Sequence, residues 1–226
     1  MLYQEWVRSF WNLGCTKTDL IEKYFKITET FYSSNLRSYH NFSHIKFMIE
    51  KIYEQYNNMS SELIDLKTNV KIEHLIIATF GHDVIYDTYT NDSVSSSADF
   101  VNYYLREMEL KDEDIKIIVD LIMITDRHNI LYNISIPVII QQIFIDADNA
   151  ILGSEPLRYK EYSDGIRFEY SQFPLKDYIK GRKSFIFAIS SKENIFCTSY
   201  MQRIYQEMAK VNLFREIQEL DNLQHP

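Results

Sequence analysis

Five of the six histidines in this chain fall between residues 39 and 128, and three short segments set imidazoles and carboxylates where they could act together. The first is H-N-F-S-H, which places His40 and His44 four residues apart, about one helical turn. Such a pair is either a surface feature of a helix or part of a ligand set. The second is His82-Asp83, adjacent at the end of an apolar segment. Neighbours on a helix point about 100° apart, which suits two places around one ion better than a mutual hydrogen bond. The third is I-F-I-D-A-D-N-A-I-L-G, with Asp146 and Asp148 in strongly apolar surroundings. An ionised carboxylate buried without a partner is costly. Its plain structural partner would be a buried arginine such as Arg167, and its chemical partner a cation. Asp146 and Asp148 lie on nearly opposite faces of a helix, so only one of them would meet a given ion.

Two imidazoles with two carboxylates make a mixed nitrogen and oxygen donor set. It suits Mn, Fe, Co, Ni, Zn or, less well, Mg, and it does not suit calcium, which prefers oxygen alone. Four protein ligands on a six-coordinate ion leave positions for water and substrate, and the ion then acidifies water and polarises a phosphoryl oxygen.

The elements that would hold these residues read as helices. Leu2, Trp6, Phe10 and Leu13 share one helical face, with Gly14 as a stop. A second helix is capped by Thr18 or Asp19, and residues 33–42 form a polar loop before a helix capped by Ser43. Residues 57–69 form a connection. A helix then runs from Val70 to His82 and Asp83, and further helices are expected over 95–105 and 112–125. Another starts near Pro137 and stops at Gly153. Three more cover 157–170, 175–189 and 198–220, with Pro156, Pro174 and Gly181 marking breaks and residues 221–226 frayed.

Composition supports one all-α domain over residues 1–226, with its core over about 6–213. Glycine (5) and proline (4) are scarce, leaving few turn formers for a sandwich or barrel. The net charge of −8 argues against extended nucleic acid as a partner, although a metal ion could still supply local positive charge for a small anion. The two cysteines, Cys15 and Cys197, suggest neither a thiolate site nor a disulfide framework. The first residues do not read as a signal peptide and no apolar run approaches about eighteen residues, so the expectation is a cytoplasmic protein without a membrane partner. The 17 tyrosines and 14 phenylalanines fall at core-like spacings and read mostly as packing. His74, between Lys71 and Glu73 and other polar neighbours, reads as a surface residue, and His225 lies in the tail.

The order His44, His82-Asp83, Asp148 resembles the HD superfamily of metal-dependent phosphohydrolases. Several segments in sequence carry the likeness to a subgroup of broadly undefined substrate: R-S-Y-H-N-F-S-H-I (37–45), F-G-H-D-V-I-Y-D (80–87), L-I-M-I-T-D-R-H (121–128), D-A-D-N-A-I-L-G (146–153), I-R-F-E-Y (166–170) and Y-I-K-G-R (178–182). The resemblance implies a single HD-type helical domain with a metal site between central helices, and His44, His82, Asp83 and one of the two aspartates as ligands. Asp148 is the expected one, because HD proteins commonly show an Ala-Asp pair there. One divalent ion is implied, with room for a second. A small phosphorylated substrate, a nucleotide by analogy, would be the partner.

Flanking residues take roles around that centre. His40 and Asn41 are candidates for binding substrate phosphate, and Arg167 for pairing with it bidentately. Asp87, one turn beyond Asp83 if the helix continues, and His128 are candidates for moving protons or, for His128, for holding a second metal. The chain departs from the subgroup after the HD pair, where Asn91-Asp92-Ser93-Val94-Ser95-Ser96 puts Ser93 at an acidic position. The competing readings are a di-iron oxygenase of the HD type, with His128 and His40 as the extra ligands, and a non-catalytic binding module stapled by metal.

Overall fold

In the computed structural model, which describes residues 1–63, 66–90, 92–126 and 128–224, the chain is all-helical, with no strand among the described residues. Asn91, Arg127 and His225, which figure in the sequence reading, lie outside those residues. The helices are α1 (Leu2–Asn12), α2 (Thr18–Tyr32), α3 (Phe42–Asn58), the short α4 (Ser60–Leu63), α5 (Ile72–Gly81), α6 (Ser93–Glu107) and α7 (Asp112–Met123). After a loop come α8 (Val138–Asn149), a 3-10 turn (Ala150–Gly153), α9 (Pro156–Glu169), α10 (Leu175–Ser190) and α11 (Ser199–Gln224).

α5 is the central element. From His74 to Gly81 every residue is buried, because α1 packs on one side of it and α7 on another, with α3 and α6 alongside. A helix apolar all round is one enclosed by others. Gly81 permits the closest of these approaches, since a Cβ there would stand 2.7 Å from Val101 and 3.0 Å from Ile122. Trp6 and Phe80 meet edge to face inside this cluster, at 5.2 Å between ring centroids. A second apolar cluster, with Ile151, Tyr162, Ile179, Phe196 and Leu213, joins the 3-10 turn to α9, α10 and α11. α8 ends where the two clusters meet: Ala147 belongs to the first and Ala150 to the second.

Several local expectations are corrected. Gly14 does end α1, in the left-handed region at φ 89°. It donates to Trp11 O while Cys15 donates to Phe10 O, the paired bonds that close a helix C-terminus. The cap of α3, however, is Asn41 rather than Ser43: its Oδ1 accepts from the Ser43 N–H at 2.8 Å. α5 stops at Gly81, so Asp83 lies beyond the helix. Gly181 breaks nothing and sits in the middle of α10. α11 is helical through Gln224, past residue 220 where fraying was expected to begin.

His74 is also corrected, from surface to core. It is fully buried: its Nδ1 accepts from the Lys71 N–H at 2.9 Å and its Nε2 meets Asp114 Oδ1 at 2.9 Å. The polar neighbours in sequence face outward while the imidazole bridges the start of α5 to the start of α7.

Candidate metal centre

Three helices deliver the central groups. α3 carries His44 on its first turn, the His82 cap follows α5, and Asp148 stands near the end of α8. Their donor atoms converge. His44 Nε2 lies 3.2 Å from His82 Nε2 and 3.3 Å from Asp148 Oδ1, and His82 Nε2 lies 3.7 Å from that same oxygen. Asp83 Oδ2 completes the ring at 3.0 Å from His82 Nε2 and 4.0 Å from His44 Nε2. His44, His82 and Asp148 form a group that could hold a metal ion, their ligand atoms all within 4.8 Å of one another.

The donor set fits a cation. The His82 Nδ1 lies 2.8 Å from the Thr79 carbonyl, which can only accept, so the ring proton sits there and the Nε2 lone pair faces the cluster. Two imidazole nitrogens and two carboxylates aimed at one point repel unless protons or a cation lie between them. A proton on His82 can take that part. Burial works against its charge, but Asp83 alongside outweighs it, with Asp148 adding, and pushes the His82 pKa up to about 9. Burial likewise opposes ionisation of Asp148, yet hydrogen bonds from His128 and His44 hold its carboxyl well below the usual range. The His44 Nδ1 has no hydrogen-bond partner, and that ring rests against Tyr39 at 4.9 Å between centroids.

Asp146 is used differently. It is fully buried and accepts from the Cys197 and Thr198 N–H groups at 2.6 and 2.7 Å and from the Thr198 hydroxyl at 2.8 Å. It ties α8 to the segment leading into α11 and points away from the histidines, so Asp148 is the aspartate brought to the cluster.

The turn after His82 is pinned by residues to which the sequence assigned no part. Arg37 donates to the carbonyls of Asp83 and Val84 at 2.7 and 2.9 Å, and its guanidinium lies between the rings of Tyr32 and Tyr86. The buried Ser97 hydroxyl bonds both the N–H and the carbonyl of Ile85 at 3.0 Å. Glu169, the last residue of α9, lies in the I-R-F-E-Y segment of the resemblance but was assigned no role. One of its oxygens accepts from the N–H groups of Tyr39 and His40, at 2.7 and 2.8 Å, and the other from the His40 Nδ1 at 2.6 Å. This grip turns the opposite ring nitrogen of His40 toward Asp83 Oδ2, 3.8 Å away. Burial would lower the His40 pKa, but the bond to Glu169 and the charge of Asp83 leave it raised. Only a side-chain interaction over 129 positions reveals this dyad, and no spacing rule signals it.

Of the flanking candidates, His40 and His128 are brought to the cluster and three others are not. His128 Nε2 donates to Asp148 Oδ2 at 2.8 Å from a backbone in the left-handed region, φ 48°. Asn41 is committed to capping α3 and to the Ser38 carbonyl. Asp87 is exposed and accepts from the Tyr89 N–H at 2.8 Å, because the helix that would have carried it one turn past Asp83 has already ended. Arg167 covers the Tyr178 ring at 4.7 Å and donates to Tyr170 O at 3.0 Å, so it neither pairs with Asp146 nor faces the cluster. The departing position, Ser93, donates to the Asp87 carbonyl and accepts from its N–H, so it serves the turn.

A cavity of about 640 Å³ opens beside the cluster, reached by His40, His82, Asp83, His128 and Asp148. Arg182 lines its far side, held by Glu216. Seven tyrosines and phenylalanines also reach it, so part of the aromatic content read as packing lines an open space. No helix is long and apolar enough to cross a membrane among the described residues. No protein-family model, curated protein or solved structure matches this chain.

Proposed function

We propose that this chain is a metal-dependent phosphohydrolase of the HD type, acting on a phosphoester or phosphoanhydride with a nucleotide as the first substrate class to test. The observation that supports it is the convergence of two imidazole nitrogens and two carboxylates at the edge of a 640 Å³ cavity. His44, His82, Asp83 and Asp148 would hold one divalent ion. Such an ion supplies Lewis acidity to a phosphoryl oxygen and acidifies water.

The chain's own residues would do the rest. His82 is oriented by Thr79, Asp148 by His128, and the Asp83 turn by Arg37. His40 faces the cavity with its far nitrogen fixed on Glu169, so it is placed to hold a proton toward a leaving oxygen. His128 is the second group in reach, on the other side of Asp148. Aromatic walls would keep water from the body of the substrate.

Metal content of the purified protein, then turnover of nucleotides and simple phosphoesters with Mn, Co, Ni or Mg added, tests the proposal. Asp148→Ala is expected to lose both bound metal and turnover. Asp146→Asn is expected to keep the metal while lowering stability by about 1–3 kcal/mol, since it weakens buried hydrogen bonds. Full turnover in Asp148→Ala would sink the proposal, and iron with oxygen uptake in place of phosphate release would favour the di-iron oxygenase.

A further inference from the structure

Glycine inside a helix is unfavourable relative to alanine, because it gives up the most backbone freedom on folding. Gly181 stands in the middle of α10, and neither backbone nor packing accounts for it. Its φ is not in the left-handed region, and a Cβ built there meets no atom within 4 Å. What Gly181 does face is the cavity beside the metal cluster. Tyr178, Arg182 and Phe185 share its side of the helix and line the same cavity, so one stripe of α10 forms this part of the wall. With no Cβ in the middle of the stripe, a ligand can lie directly on the helix backbone there.

Arg182 brings a guanidinium to the stripe, with 6% of its side chain exposed. Its Nε and one terminal nitrogen donate to Glu216 at 2.7 and 3.1 Å, and the other terminal nitrogen donates to the Tyr162 hydroxyl at 3.0 Å. Its guanidinium carbon lies 4.9 Å from the centre of the Tyr162 ring and 4.7 Å from that of Phe185. A guanidinium has five N–H groups, so these three bonds leave two without an acceptor among the described residues. The bonds to Glu216 already tie α10 to α11, and the remaining donors are more than that tie needs. Glu216, which also accepts from the Tyr159 hydroxyl, offsets the charge of Arg182. The pair therefore suits a neutral acceptor, whereas a carboxylate arriving there would lose its own hydration beside Glu216.

We propose that Gly181 and Arg182 form a subsite for the organic part of the substrate, and that this part carries a neutral hydrogen-bond acceptor, a carbonyl oxygen or a ring nitrogen, which takes the remaining N–H groups of Arg182 while the phosphate lies at the metal cluster. This rests on the phosphohydrolase reading above and deepens it.

Calorimetric titration of the metal-loaded protein with ligands that are not hydrolysed tests the subsite apart from the reaction. (4-Acetylbenzyl)phosphonate and (4-ethylbenzyl)phosphonate have nearly the same shape, and only the first has a carbonyl. (4-Carboxybenzyl)phosphonate replaces that carbonyl by an anion. Uridine monophosphate against ribose 5-phosphate, titrated with calcium as the added ion, covers a longer reach. Inorganic phosphate reports on the metal cluster alone. Two variants accompany the natural protein. Arg182→Met with Glu216→Gln removes both charges together, so no buried charge is left unpaired. Gly181→Leu leaves the arginine in place and fills the space above the helix.

In at least one of the two pairs, the acceptor-bearing ligand is expected to bind about tenfold or more tightly than its counterpart, as one hydrogen bond to a charged donor allows. That advantage should vanish in Arg182→Met with Glu216→Gln and shrink about tenfold in Gly181→Leu, while metal content and inorganic phosphate binding persist. Equal binding within both pairs, an advantage that survives the double substitution, or tighter binding of the carboxylate than of the acetyl ligand would each overturn the inference and leave the phosphohydrolase reading standing. A protein that takes up no metal would overturn that reading and this proposal with it.

Discussion

Asp146 and Asp148 share a residue type, a helix and an apolar neighbourhood, yet one closes a backbone gap and the other joins two histidines. The difference is the helical rotation between positions two apart, which sends one carboxylate toward α11 and the other toward α3 and α5. Arg37 shows how a residue outside the cluster controls it. By holding the Asp83 and Val84 carbonyls, it sets the angle at which the Asp83 side chain leaves the turn. Arg37→Ala should therefore weaken metal affinity by roughly 10- to 100-fold, the range usual for groups that orient ligands, while the helices stay folded. Metal titration with circular dichroism on the same samples checks this, and unchanged affinity would show that the turn holds itself. His44 and His82 were legible as candidates in the sequence from their residue types and neighbours, whereas Asp148 was separated from Asp146 only by the family resemblance. Arg37 and Glu169 were not, because their partners lie 46 and 129 positions away.

At the level of elements, helix ends decide where the site residues point. Asn41 stops α3 from starting a turn earlier, which leaves His40 in the loop that Glu169 grips and His44 on the first turn of the helix. α5 ends at Gly81, so His82 caps the helix and Asp83 turns back toward it. Had the helix continued, Asp87 would have stood where the sequence placed it. One end is under strain: Glu109 closes α6 in the left-handed region at φ 57°, donating to Arg106 O while Leu110 donates to Leu105 O. A residue with a Cβ is penalised there and glycine is not. The Glu109 ion pair with Lys17 is solvent-exposed and contributes little. Glu109→Gly should stabilise the protein by about 1 kcal/mol, seen as a higher denaturant midpoint with an unchanged slope. A lower midpoint would mean that the exposed ion pair outweighs the backbone.

For the molecule as a whole, the first apolar cluster carries the histidines and the second builds the aromatic wall, with Asp148 at the seam between them. The stability of the first cluster depends on pH through His74. Burial holds its pKa below the ordinary value of 6.5, outweighing the bond to Asp114, and its Nδ1 already accepts from Lys71. Above that value folded and unfolded chains are both neutral there. As pH falls below about 6.5 the unfolded chain takes the proton first, so stability should decline until the folded pKa is reached. His74→Gln keeps a side chain able to reach back to the Lys71 N–H and does not titrate. Denaturation midpoints between pH 7 and 5 should fall less steeply in that variant than in the natural protein, and equal slopes would assign the dependence to other groups.

The sequence by itself determined the helical class and the main helix boundaries, because apolar periodicity, scarce glycine and proline and the Gly14 stop are local properties that act within a few residues. It also marked the residues whose types could bind a metal. The tertiary structure alone decided which of them meet. Convergence of His44, His82, Asp83 and Asp148 depends on how α3, α5 and α8 pack, the loss of Asp87 and Asn41 from the site depends on where helices end, and that of Arg167 on its packing over Tyr178. The burial of His74 and the opening of tyrosines onto a cavity were decided in the same way, since whether a side chain meets core, partner or open space is set by other segments of the chain.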